Sequence, residues 1–231
     1  VAPAAPVDAA RVREAYRRFL ELKAGDPAMR AEALRRLADL ELEAADAVRA
    51  EGATPGAGEA EIRAAIALYE ELLKQEPDNP KADSVLYQLG RAWEAVGEPD
   101  RALGYLDRLV ARFPKSRHID EAQFRRGEIL FSARRYADAE QAYQAVIRMG
   151  PDSSFHEQSL YKHGWSLFKQ SENEASVDSF VKLLDRKMTD PQDPKRVLDP
   201  QGMSRADREL VEDTFRVLSI GFSYADGAEA I

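Results

Sequence analysis

The stretch DSVLYQLGRAWEAVGEPDRALGYLDRLVARFP, residues 83–114, decides the fold. Its apolar side chains recur at three- and four-residue steps and pause at Gly97–Asp100. They resume through Ala102, Leu106, Leu109 and Val110 before Pro114. That spacing predicts two helices of about 14 residues joined by a short turn, an αα-hairpin. Pro114 closes the second helix, because proline offers no amide proton and disfavours helical backbone in the residue before it.

A step of 37 residues carries the same pattern along the chain. It aligns Gly90, Gly127 and Gly164, and separately Ala65, Ala102, Ala139 and Ser176. Bulky residues follow the second column, first Tyr69, Leu106, Tyr143 and Phe180, then Leu72, Leu109, Val146 and Leu183. Pro77, Pro114 and Pro151 end the units, and Met188 breaks that column. Tyr87, Phe124 and Tyr161 keep the step, as do Trp93, Leu130 and Leu167. Register of this kind marks a repeat protein, in which each hairpin buries its faces against its neighbours. A glycine inside a helix costs up to about 1 kcal/mol relative to alanine. Its recurrence therefore predicts a close helix–helix approach that a larger side chain would obstruct.

The segments LGRAW…RALGYLDRLVARFPKS and RGEIL…ADAEQAYQAVIRMGPDS resemble the tetratricopeptide repeat, over roughly 60–190 with a partial repeat at 205–231. The resemblance implies an all-α fold, a right-handed αα-hairpin superhelix or TPR solenoid. Leu89 fits the family's large apolar residue before the small one, whereas Arg126 and His163 depart from it. Ser176 stands for the usual alanine and Met188 for the usual proline, so the third and fourth repeats are expected to pack less tightly than the second. The FPKS linker, the long period and the aromatic column resemble bacterial cell-envelope members of the family. That likeness implies a periplasmic or envelope-associated protein, with a cytoplasmic one as the alternative.

The register divides the chain into four parts. Residues 1–26 form an Ala/Pro-rich start and first helix, and 27–81 a divergent first repeat with a long helix and a Gly-rich loop insertion, EGATPGAGEA. Residues 82–193 hold three repeats of the 37-residue period, and 194–231 an insertion loop and the first helix of a truncated further repeat. The start, VAPAAPVDAA, reads equally as the segment left after removal of a signal peptide or anchor and as an arbitrary beginning. The excursion TDPQDPKRVLDPQGMS (189–204), with three prolines, is expected to be irregular, either a binding element or a disordered loop. Helix 205–225 carries Leu210, Val217, Leu218 and Tyr224 on one stripe and Val211, Phe215 and Phe222 on another. Two apolar stripes expect neighbours on both sides, and so a continuation of the array or self-association through this helix.

Composition excludes several functions. The 231 residues carry 33 basic and 41 acidic side chains, a net charge of −8. That balance argues against non-specific nucleic-acid binding and adhesion to anionic lipid. The absence of cysteine removes disulfides, thiolate zinc sites, iron–sulfur clusters and thiol catalysis. No apolar run approaches a spanning helix. Phosphate-loop, zinc-protease and nucleophile-elbow motifs are missing, and His118, His156 and His163 lack the further ligands a metal would need. The expectation is a chain without catalytic residues, metal or cofactor.

In a stacked array the first-helix aromatics Tyr87, Phe124 and Tyr161 form either a concave row that grips a peptide or rings packed between helices. Beside them run Gln88, Arg125 and Lys162, then Leu89, Arg126 and His163, with Arg91 a further expected binding residue; residues 115–135 hold six basic and three acidic side chains. That ridge either holds an acidic segment or carboxylate, or is paired locally, as Arg125 with Glu121 or Glu128. The Lys/Asn carboxylate clamp of chaperone-tail receptors is absent, since Ser84, Tyr87, Gln88 and Arg91, then Glu121, Phe124, Arg125 and Glu128, stand at those positions. The expected function is a non-catalytic scaffold or adaptor that binds a protein or peptide segment in the concave groove, within a bacterial envelope complex. The alternative is a self-assembling module or an intramolecular scaffold of a larger protein.

Overall fold

The repeat columns become the core. Tyr69, Leu106, Tyr143 and Phe180 are at most 1% exposed, and Leu72, Leu109, Val146 and Leu183 are fully buried. Each such side chain contributes about 1.5–3 kcal/mol when taken out of water. The computed structural model describes residues 9–22, 26–51, 56–190 and 192–224. It divides into two compact units, the first ending at Ile119 and the second beginning at Asp120.

The first unit contains α1 (Ala9–Glu21), α2 (Pro27–Glu51), α3 (Glu59–Gln75), α4 (Ala82–Ala95) and α5 (Pro99–Arg112), each packed on the next along α1–α4 and α4 on α5. Helix α2 is the long helix expected at 27–50, and α3 begins two residues before the expected 61. Of the inserted loop, residues 52–55 lie outside the described residues. Gly58, at φ +76°, leads into α3 where any Cβ would meet the backbone of Ala45, 2.8 Å away at the carbonyl oxygen. Helix α1 buries no side chain fully. Beside the half-buried Val12, Tyr16, Phe19 and Leu20, ion pairs hold it: Glu41 of α2, only 2% exposed, accepts from Arg13 at 3.1 Å and Arg17 at 2.5 Å.

The second unit contains α6 (Ile119–Ser132), α7 (Tyr136–Met149), α8 (His156–Lys169), α9 (Asn173–Met188) and α10 (Arg205–Tyr224). The unusual residues of its repeats are accommodated by hydrogen bonds. Ser176, in the alanine column, donates to the Gly164 carbonyl at 2.9 Å, and His163 meets Ser179 at 2.9 Å. Met188 joins the cluster around Phe180 and Leu184.

The close helix approach expected at the glycine column is present, and the structure shows that its partner is the bulky column. A Cβ on Gly90 would stand 2.7 Å from Leu106 Cδ2, and one on Gly164 2.8 Å from Phe180 Cζ. Gly127 is tightest, against the ring of Tyr143.

Two segments differ from expectation. The excursion after α9 is ordered into a small antiparallel ladder, β1 (Thr189–Asp190) with β2 (Asp193–Val197), and a 3-10 turn at Pro200–Gly202. The order comes from its aspartates. Asp190, Asp193 and Asp199 each accept the backbone N–H two residues on, at 2.8, 3.1 and 2.9 Å. These side-chain caps replace ladder bonds that a proline-rich segment cannot make. In α10 the stripes divide differently: Val211, Val217 and Leu218 pack against Phe180 and Leu184, while Phe215 is 46% exposed. The side chains of Phe222 and Tyr224 lie outside the described residues.

Candidate functional site

The first unit carries a groove of about 600 Å³. One wall is α2, with Arg35, Asp39, Leu42, Glu43 and Asp46 at helical spacing. The other is α4, from Lys81 just before it through Asp83, Ser84 and Gln88 to Arg91, extended by Arg117 and His118. Tyr69, fully buried, closes one side and donates its hydroxyl to Asp39 Oδ1 at 2.5 Å. Burial and the bonded Asp39 carboxylate both push the Tyr69 phenol well above its ordinary pKa, so it remains a neutral donor. Arg35 donates to Asp39 at 2.6 Å and to Glu32 at 2.6 Å, and its hydrogen bond holds the Glu32 carboxyl down to about 2.

The far end of the groove rests on a device repeated along the chain. Ser116 Oγ donates to Asp83 at 2.6 Å and accepts from the His118 backbone N–H at 3.2 Å, which pins the loop after α5 onto α4. His118 then stacks on Tyr87, with centroids 4.2 Å apart and planes 9° from parallel. The second unit has the same arrangement 37 residues on: Ser153 donates to Asp120 at 2.9 Å and accepts from the Phe155 N–H at 3.2 Å, and Phe155 stacks on Phe124 at 5.1 Å. Sequence reading missed these columns, although Asp83/Asp120, Ser116/Ser153 and His118/Phe155 all keep the repeat step. They stand near the unit ends, where a polar residue reads as turn chemistry before it reads as a tertiary contact.

The expected binding residues take different places. Tyr87 is 6% exposed and serves as the support of His118. Arg91 is exposed, lines the groove and sits 5.8 Å over the Tyr87 ring. Phe124 and Tyr161 are half-buried between helices of the second unit. Phe124 touches Phe155 and Tyr143, and Tyr161 meets Trp165 and Phe180 edge-on while its hydroxyl donates to Asp213 of α10. Arg125 pairs with Glu121 one turn away at 2.8 Å. Lys162 pairs with Glu128 at 2.9 Å, the same carboxylate that receives the buried Tyr143 hydroxyl.

His163 is 8% exposed, and burial holds its pKa below the usual 6.5, with Lys182 and Arg148 acting in the same sense and Glu140 and Asp178 opposing. The folded state therefore prefers the neutral ring. Its stabilising effect is complete above about pH 6.5, where the unfolded ring is also neutral, and is lost as pH falls from there towards the lower folded pKa. Urea melts between about pH 5 and 7.5 should show the second unit weakening on acidification, and His163→Gln should remove part of that slope. An unchanged slope would show that the ring does not titrate on unfolding. Among the described residues, no group of three His, Cys, Asp or Glu is placed to hold a metal ion.

Comparisons with known proteins agree with this fold. The tetratricopeptide repeat family matches residues 58–117 and 87–154. A crystal structure of MamA covers 81% of this chain and 87% of its own, at 20% identity and a TM-score of 0.51. A double mutant of MamA from strain RS-1 covers 87% and 98%, at 18% identity and 0.53. BtubC from P. vanneervenii covers 96% and 91%, at 17% identity and 0.52. At such identities the likeness is one of fold. No curated protein matches the sequence. No described helix is long and apolar enough to cross a membrane. Residues 58–154 thus carry tetratricopeptide repeats, and the chain has the all-α fold of paired helices on which that family's protein-interaction scaffolds are built.

Proposed function

We propose that the chain is a non-catalytic adaptor that docks a segment of another protein in the groove of its first unit; the half-buried Phe124 and Tyr161 are a separate candidate surface of the second unit. The observation that carries this reading is the groove itself, about 600 Å³, walled by two helices on which Arg35, Asp39 and Asp83 are held by hydrogen bonds. A rigid wall limits the ordering cost of binding. Gln88 supports the reading as well, since its Oε1 is buried and has no hydrogen-bond partner among the described residues. An acceptor so placed gains on receiving an N–H from a docked segment. Arg91 is the expected binding residue nearest this groove, and Tyr87 holds its far wall. Arg125, paired within α6, and Lys162, paired with Glu128 of α6 from α8, would bind by exchanging those partners.

Action within a bacterial envelope complex is the finer reading, supported by the envelope-like FPKS linker and 37-residue period. The experiment is crosslinking in an extract of the source cells, with the wild type beside Gln88→Trp, which fills the groove without changing its charge. A folded variant that loses one specific partner supports the adaptor. A folded variant that keeps every partner excludes this groove. A second reading, self-association through α10, is favoured by the exposure of Phe215. Light scattering over a concentration series, repeated on Phe215→Ser, decides it: a mass that does not rise with concentration removes that reading.

A further inference from the structure

The groove has two walls of opposite charge that the fold leaves unneutralised. On α2, Glu43 and Asp46 are exposed and stand one turn apart, and neither makes an ion pair or hydrogen bond among the described residues. On the facing wall, Arg91 and Arg117 are likewise exposed and have no carboxylate partner among the described residues. Arg36 and Arg63, by contrast, are neutralised within a turn by Glu32 and Glu59. Arg35, also in the groove, is saturated by Glu32 and Asp39.

The two open guanidinium groups are nevertheless held in place. Arg91 sits over one member of the Tyr87–His118 stack, at 5.8 Å, and Arg117 Nε donates to the other, His118 Nε2, at 3.1 Å. The stack is itself pinned by the Ser116–Asp83 bond. Both cations are thus oriented by aromatic and imidazole contacts, which leave most of their donors available to an incoming carboxylate. A purely acidic ligand gains at this wall and is repelled by Glu43 and Asp46, and a purely basic one meets the reverse. Opposed walls therefore select by repulsion as well as attraction.

We infer that the groove recognises a partner segment carrying both charges, with a carboxylate set against Arg91 and Arg117 and a basic side chain set against Glu43 and Asp46. This rests on the reading of the groove as the docking site.

The test is selection of random linear peptides displayed on phage against the whole chain, with Gln88→Trp as the blocked control. Affinities of the selected peptides are then measured by fluorescence anisotropy. The expected result is a wild-type set holding an acidic and a basic residue at a fixed separation. Their binding should fall at least roughly tenfold in Arg91→Glu/Arg117→Glu and in Glu43→Lys/Asp46→Lys. Each pair of substitutions lies on exposed positions, and circular dichroism checks that the variants fold. Peptides of one charge, or uncharged peptides, that bind the wild type as well and are lost only in Gln88→Trp would overturn the two-charge proposal and leave the docking groove standing. Selection no better on the wild type than on Gln88→Trp would overturn both.

Discussion

Gly127→Ala is expected to lower the stability of the second unit by about 3 kcal/mol, at the upper end of what overpacking a core costs. The added methyl would overlap the Tyr143 ring, with Cδ1 and Cζ 2.7 Å away. That ring is fully buried, and its hydroxyl is tied to Glu128, so it cannot withdraw without losing that part-buried hydrogen bond. A thermal melt should move down by roughly 10 °C for a unit of this size. Gly90→Ala should cost less, because the atoms it meets are the flexible end of Leu106. Gly104 supplies the control: it lies within α5, is exposed, and a Cβ there meets nothing within 4 Å. Gly104→Ala should gain about 0.5–1 kcal/mol by restoring helix propensity. If Gly127→Ala and Gly104→Ala melted alike, close approach would not explain the glycine column.

Replacing both Arg13 and Arg17 by Met should release α1 from the first unit. The substitution strands Glu41, whose side chain is 3% exposed, without either of its cations. Removing the partners of a buried charge costs about 3–5 kcal/mol. Because α1 has no fully buried side chain, the chain can avoid that cost by letting α1 detach and water reach the carboxylate. The loss should therefore appear as local opening, with amide protection in residues 9–21 falling roughly a hundredfold while α3–α5 keep theirs. Glu41→Leu should be far milder, since Arg13 and Arg17 are 23% and 49% exposed and can turn to solvent. Equal losses in the two variants would mean that the carboxylate is hydrated in the native state.

Local pattern and interior contact were legible to different degrees. The helix pairs follow from three- and four-residue spacing, which depends on near neighbours alone, and α4 through α9 fall in the expected hairpins. A close approach at Gly90 and Gly127 was legible too, because the glycines recur inside predicted helices, but that Leu106 and Tyr143 fill the space only the structure shows. Tyr87 and Phe124 show where that reading stops. The same step marks them as equivalent, yet it cannot say whether a ring on the first helix faces a partner or the next loop. The neighbour at 118 or 155 decides it.

By itself, the sequence determined the period, the αα-hairpins, the interior columns and the absence of cysteine chemistry, all properties set by residue type and spacing along the chain. Tertiary structure decided what depends on pairs far apart. Tyr161 donates to Asp213 of α10, 52 residues on, and Arg13 and Arg17 converge on Glu41 from another helix. The groove belongs to the same class. Its α2 wall precedes the inserted loop and lies outside the repeat register, so no step along the chain relates Glu43 and Asp46 to Arg91 and Arg117. Charges so separated have no mutual energy until folding brings the two walls across one cavity. There, their distance and the water they share fix what each can bind.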